Sequence, residues 1–318
     1  MRYKLEGPYQ YELDEPNVCV LDMVSYSLDG GEYQGEMEIL KADRDIRTKL
    51  GLQFRGGEMF QPWFVRDSTP SMQVPLNLKF RFHIADFPEE DVFLAIENPD
   101  NFQINVNGNA VNNAKVSGWW VDRCFAKLRI DSNFLVKGEN VIELRTCFTG
   151  SINLESIYLL GRFGVTVSKN QKTITSLPQK IRVGDLVTQG LPFYSGKIKY
   201  MLPCPISLNS GERAYVHVGK YGGACIKVHG EDGTYRVIAW QPNEADITDF
   251  VNNSEFFRLE VVLTRRNTFG PLHLIPPVQA AYGPDSFISE GENFTMDYVL
   301  LPSGLLSEPE IIIMEQDL

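Results

Sequence analysis

The sequence predicts an all-β protein: two tandem antiparallel β-sandwiches with one short helix near the N-terminus. Three observations lead there. First, a hairpin occurs twice. Residues 91–108 (DVFLAIENPDNFQINVNG) read as a strand, a turn at Glu97-Asn98-Pro99-Asp100 and a returning strand. They close on Asn107-Gly108, a dipeptide that adopts positive φ at low cost. The second copy leads from Arg213-Ala214-Tyr215-Val216-His217-Val218 into residues 224–230 (ACIKVHG), ending 122 residues after the first. Second, the flanks repeat. Residues 79–84 (KFRFHI) match 197–202 (KIKYML), 137–144 (KGENVIEL) match 255–262 (EFFRLEVV), and 157–161 (IYLLG) resemble 298–302 (YVLLP). A period above a hundred residues makes each copy a whole domain, not a solenoid unit. Third, the rest is short alternating segments broken by Gly, Asn, Asp and Pro, as in a sandwich. Eight strand–helix units of a (β/α) barrel, roughly 250 residues, do not fit beside a single helical stretch.

In order, residues 18–28 read as one strand, apolar on both faces up to Val24 and therefore buried. Asp29-Gly30-Gly31 turns it. Residues 36–50 form the helix: Ile39, Ala42, Ile46 and Leu50 share a face, and Asp43–Arg47 and Asp45–Lys49 are i,i+4 ion pairs. Gly51 suits the position after its C-cap. Arg55-Gly56-Gly57 to Trp63 is a loop. The expected division is 1–72 as an N-terminal hairpin and helix on the first sandwich, 73–165 as the first sandwich, and 166–318 as the second with an inserted loop at 265–292. Eight or so strands per copy suit a jelly roll.

Composition excludes several classes. Hydrophobic residues make up 43% of the 318, enough for two cores, and the net charge of −11 argues against a nucleic-acid surface. No run reaches the roughly 18 apolar residues of a membrane span. The polar first ten residues lack a signal-peptide core, so a cytoplasmic address is expected. Five cysteines without paired spacing read as free thiols. His83, His217, His229 and His273 have no metal spacing, and there is no phosphate-cradling loop or Gly-x-Ser-x-Gly elbow.

The order of elements resembles the galactose-binding-like jelly roll of the sugar-binding domain in glycoside hydrolase family 2. The residues that carry this are the NVNG and KVHG hairpins, Ala245-Asp246-Ile247-Thr248-Asp249-Phe250, and Arg258-Leu259-Glu260-Val261. The chain also resembles the C-terminal region of large bacterial α-L-rhamnosidase-like glycoside hydrolases, through residues 17–32 (NVCVLDMVSYSLDGGE), 118–123 (GWWVDR) and 265–273 (RRNTFGPLH). In such a parent a catalytic domain would precede Met1. The resemblance therefore implies carbohydrate metabolism as context, with no catalysis by this chain itself. It implies no cofactor. Sandwiches of this type sometimes hold a structural calcium, but no acidic loop singles itself out.

The candidate site residues follow from chemistry. Glycosidases need two carboxylates roughly 5–9.5 Å apart, and no pair stands out; Asp122 beside Arg123 and Glu260 beside Arg258 read as ion pairs. Trp119 and Trp120 are adjacent in a strand, so one indole should enter the core while the other faces out as an apolar plate for a sugar or a protein. The alternative is that both are buried, and the same choice applies to Trp63 and Trp240. The second copy takes 36 residues from Val262 to Tyr298 where the first takes 14 from Leu144 to Tyr158. The excess carries Arg265, Arg266, Asn267 and His273. Long connections are often functional, so this one is expected to contact a sugar or a catalytic domain; alternatively, Arg265 and Arg266 pair with acids of their own domain. The functional expectation is a non-catalytic accessory region of a bacterial glycoside hydrolase, binding carbohydrate or buttressing a catalytic domain, without nucleic-acid or membrane partners. The alternative is a free-standing structural or protein-interaction module without a sugar ligand.

Overall fold

The computed structural model describes residues 1–54, 73–204, 206–251, 254–278, 283 and 286–315. It is an all-β sandwich fold, with the helix Ile39–Lys49 as its longest described helix. Among the described residues the strands pair antiparallel apart from one pairing, between Gln171–Thr175 and Val74–Ile84. Among the described residues no helix is long and apolar enough to cross a membrane. The Arg55-Gly56-Gly57 loop and Trp63 lie outside the described residues.

The chain forms two compact units, and neither is continuous in sequence. The first comprises described residues of Asn17–Ser176 and Pro271–Val299; the second comprises those of Met1–Pro16, Leu177–Gly270 and Leu300–Leu318. This differs from the expected division at both ends. Residues before Asn17 serve the second unit, where Arg2–Lys4 pairs with Glu310–Glu315 and Gln10–Leu13 with Lys197–Pro203. Most of the expected second-domain loop, from Pro271 onward, joins the first. Alternation marks a strand but not the sheet whose unpaired edge will accept it.

In the first unit, one sheet runs Val116–Trp120, Asp122–Ile130, Val92–Glu97, Ile157–Gly161, Asn17–Leu21. The other holds Met23–Leu28, Val74–Ile84, Gly138–Phe148, Gln103–Val106 and Asn109–Ala110 in that pairing order. The period-2 pattern expected of a half-buried strand is plain in Val74–Ile84, where Leu76, Leu78, Phe80, Phe82 and Ile84 are all buried. Each such side chain contributes about 1.5–3 kcal/mol of apolar burial. Residues 18–28 are not one strand. The run breaks at Asp22, and its halves enter different sheets.

The helix starts at Ile39, because the Glu38 carboxylate accepts from the Leu40 and Lys41 N–H groups as its N-cap. It ends before Gly51, at φ +65°. Arg47 Nε lies 2.8 Å from Asp43 Oδ2, both buried, and the guanidinium also donates to the carbonyls of Gln53, Gly150 and Ile152.

In the second unit, one sheet runs Arg2–Lys4, Glu310–Glu315, Glu212–His217, Glu244–Asp246, and the other runs Gln10–Leu13, Lys197–Pro203, Phe256–Val262, Cys225–His229, Tyr235–Ile238. Tyr200, Val216, Val228, Val261 and Ile311 from both sheets share its core. The pairing order matches that of the first unit, except that Val116–Trp120 has no counterpart in the four-stranded sheet. Val106 faces Ile142, and Val228 faces Leu259.

Three sequence matches shift, the 79–84 match by two residues, so that Lys79 corresponds to Lys199. The counterpart of Ile157–Gly161 is Glu310–Glu315, which pairs with Glu212–His217 as Ile157–Gly161 pairs with Val92–Glu97. Residues 298–302 are irregular, because the backbones of Val299 and Leu301 bond to Leu272 and Asn267 instead of a ladder. The 255–262 match also slips by one residue: Glu143, not Ile142, corresponds to Glu260. A one-residue slip exchanges the two faces of a strand. Lys79 and Glu143 accordingly pair at 3.7 Å in the first unit, as Lys199 and Glu260 do in the second.

Candidate functional site

Val116–Trp120 is an edge strand of the first unit, and a turn at Val121 (φ 59°) returns the chain along Asp122–Ile130. Its register slips between Val116 and Trp119 and again between Trp119 and Trp120. Such irregularities re-aim side chains. Trp119 is 55% exposed, while Trp120 is 5% exposed and packs on Phe125 and Tyr158, with ring centroids 6.0 and 5.3 Å away. One indole thus faces water while its neighbour anchors the hairpin. Asp122 and Arg123 are exposed on the same turn. The Asp122 carboxylate accepts from the Cys124 N–H at 3.0 Å instead of bridging to Arg123, and that bond holds its pKa below the ordinary carboxylate value. The hairpin thus presents an open indole, a carboxylate and a guanidinium.

Trp240 is 75% exposed, following the edge strand Tyr235–Ile238, and belongs to the second unit. Val218 and Gly219 next to that region bond to Asn243, so a polar latch backs the turn after Trp240.

The 265–273 stretch buries Asn267 and His273 and leaves Arg265 and Arg266 half-buried, with the donors of Arg265, Asn267 and His273 engaged by acceptors of their own units. Arg265 makes a two-pronged ion pair with Glu15, one arm at 2.7 Å, and reaches Ser195 Oγ at 3.2 Å. Asn267 is buried; its amide donates to the Leu301 carbonyl at 2.8 Å and accepts from the Leu301 N–H at 2.9 Å. Half-buried Arg266 lies against Gly270, one turn on. His273 is 4% exposed, with Nε2 3.1 Å from Asp22 Oδ2. The physical reason is cost: a polar group buried without a partner is destabilising by about 1–3 kcal/mol. The alternative reading, that this segment is held down by its own domains, describes Arg265.

Two clusters escaped the sequence reading. In the first unit, buried Asp22 accepts from the Tyr298 hydroxyl and bonds to His273, with buried Lys172 over the Tyr298 ring at 5.4 Å and the buried N-cap Glu38 nearby. A lone aspartate within the apolar run VCVLDMV was the available signal. In the second, Glu260 is ringed by Lys199, Lys227 and His229 at 3.7, 3.8 and 3.4 Å, in place of the expected pairing with Arg258. Burial keeps the His229 pKa below its ordinary value despite the carboxylate. Both clusters join residues far apart in sequence. Among the described residues no three His, Cys, Asp or Glu side chains come together as metal ligands.

The sequence matches no protein-family model, and no curated protein is significantly similar to it. Among solved structures, the chain is similar to a β-D-mannosidase from Dictyoglomus thermophilum (TM-score 0.30, 13% identity, covering 81% of this chain and 32% of that one). It is similar to a rhamnosidase from Novosphingobium sp. PP1Y (TM-score 0.31, 14% identity, 77% and 23% covered). It is also similar to a glycosyl hydrolase family 2 member from Bacteroides cellulosilyticus DSM 14838 (TM-score 0.28, 13% identity, 78% and 32% covered). The chain spans about a third or less of the length of these proteins. Overlap at this level fixes neither a shared activity nor a shared substrate.

Proposed function

We propose that this chain is a non-catalytic accessory region of a glycoside hydrolase, with two galactose-binding-like jelly rolls as tandem copies, and that the 116–123 hairpin of the first binds carbohydrate. The observation that carries the reading is the exposed Trp119 indole set beside the buried Trp120. A pyranose presents a C–H-rich face to an aromatic plate, and an anchored neighbour holds the backbone that carries that plate, which lowers the ordering cost of binding. Asp122 accepts and Arg123 donates to hydroxyls at the rim of the plate. The matching strand order of the two units supports the duplication. No step of bond cleavage is assigned to this chain.

Binding of the full chain to an array of plant and bacterial oligosaccharides, followed by calorimetry, tests the reading. Trp119→Ala should weaken the best ligand at least tenfold, while Trp240→Ala, on the other unit, should leave it unchanged. Equal affinity of wild type and Trp119→Ala overturns the assignment of the hairpin. A second reading, a structural or buttressing module without a sugar ligand, draws on the engaged donors Arg265, Asn267 and His273. Failure of the wild-type chain to bind any glycan favours that reading.

A further inference from the structure

The described residues of Pro271–Val299 form a strap: they follow the second unit in sequence but belong to the first. The strap is almost without ladder structure. Its backbone bonds include Thr295 N–H to the His273 carbonyl (3.0 Å), Ile275 N–H to Asn293 (2.8 Å) and Val299 N–H to Leu272 (2.7 Å), all internal. Leu272 and Leu274 are buried, but Ile275, Val278, Phe287 and Met296 are exposed. Beside those two leucines and the Tyr298 N–H on the Lys169 carbonyl at 3.3 Å, the contacts that bind it to the strands are polar and buried. Asp22, at the break between Asn17–Leu21 and Met23–Leu28, takes both the Tyr298 hydroxyl and His273 Nε2.

The decisive feature is the pair of acceptors around His273. Nε2 faces a carboxylate oxygen of Asp22 at 3.1 Å, and Nδ1 faces the Asp297 carbonyl oxygen at 3.3 Å. A carbonyl accepts only, and so does an ionised carboxylate. Neutral imidazole has one N–H and can serve one of them; imidazolium serves both.

We propose that Pro271–Val299 is a pH-sensitive strap, latched to the first sandwich by the imidazolium of His273 on Asp22 and loosened when that imidazole loses its proton.

The groups that face the latch agree with this. Burial opposes a charge on His273, but the hydrogen bond and charge of Asp22, with Glu38 adding, raise its pKa above the ordinary 6.5. Burial likewise opposes a charge on Asp22, and His273, Lys172 and the Tyr298 hydroxyl outweigh it, leaving its pKa below 3.8. Glu38 is pushed up by burial to about 7, with Asp22 contributing. Tyr298 is driven well above 10 by burial and by Asp22, with Cys19 and Glu36 adding, so it stays a donor.

A raised folded pKa gives stability that is present below the unfolded value and lost as pH rises through the folded one, which is the case for His273. The same holds for Glu38, whose contribution is lost between 4.5 and about 7. The lowered Asp22 adds stability above 3.8 that disappears in acid. The strap is therefore firmest in mildly acid solution, above the lowered Asp22 pKa; it weakens as the Glu38 contribution is lost toward about 7, and loosens as pH rises through the raised pKa of His273.

Hydrogen exchange of the full chain, read by mass spectrometry and corrected for the intrinsic pH dependence of exchange, tests this between pH 6 and 9. Peptides carrying the Ile275, Thr295 and Val299 amides should lose at least tenfold in protection, while the Gly138–Phe148 strand keeps its own. Flat protection in the strap overturns the proposal, as does parallel loss in the reference strand, which would mean global unfolding. His273→Gln, with a single donor end, should abolish the loss of protection above about pH 7, leaving only the part that Glu38 contributes below it. Asp22→Asn, which keeps the shape but not the charge, should move the loosening to lower pH. An unshifted midpoint in Asp22→Asn, or a wild-type profile in His273→Gln, also overturns it.

Discussion

Trp119 and Trp120 offer a controlled experiment within one dipeptide. Trp120 is buried and touches the rings of Phe125 and Tyr158, so Trp120→Ala removes an indole from a closed aromatic cluster. Deleting an aromatic side chain of this kind costs about 3–5 kcal/mol, as lost transfer energy plus the cavity left behind. For a domain of 150–250 residues each kcal/mol moves the melting temperature by about 2–4 °C, so a drop of about 6–20 °C is expected. Trp119→Ala removes a side chain that is 55% exposed. Surface changes of that sort stay within about 0.5 kcal/mol, or about 2 °C or less. Thermal unfolding of the two variants, followed by far-ultraviolet circular dichroism, separates them. A Trp120→Ala protein that melts with the wild type, or a Trp119→Ala protein that falls as far as Trp120→Ala, would refute the division of labour on which the sugar-binding proposal rests.

Arg47→Ala should destabilise the first unit by about 3–5 kcal/mol in urea titrations, since it breaks the buried ion pair with Asp43 and removes the donor to three carbonyls; a loss below about 1 kcal/mol contradicts that. Asn267→Ala leaves the Leu301 N–H and carbonyl without their amide partner and should cost about 1–3 kcal/mol, with glycan binding unchanged. Glu38→Gln keeps an oxygen to cap the helix but cannot ionise, so the stability lost by wild type as pH rises toward about 7 should be smaller in the variant; identical pH profiles from chemical denaturation count against the buried carboxyl. The purified chain should release no aglycone from aryl glycosides, and turnover that vanishes on mutating one carboxylate would show a catalytic pair.

Periodicity was enough to mark an all-β chain with one helix, because alternation in stretches such as Val74–Ile84 is written in neighbouring residues and depends on nothing distant. The Asn107-Gly108 turn and the Asp43–Arg47 pair were legible for the same reason: each follows from local geometry. Whether Trp119 and Trp120 part or are both buried stayed open, because it turns on the register slips of the hairpin and on Phe125 and Tyr158. Partner choice was not. That Arg2–Lys4 completes a sheet with Glu310–Glu315, that Glu260 gathers Lys199, Lys227 and His229, and that His273 crosses to Asp22 are contacts between residues tens to hundreds of positions apart. A strand records its two faces in its own sequence, but its neighbour is decided by which unpaired edge it meets, and a buried charge is tolerated only where a distant segment brings its counter-charge. Those outcomes are energies of the assembled fold, so the tertiary structure alone decided them.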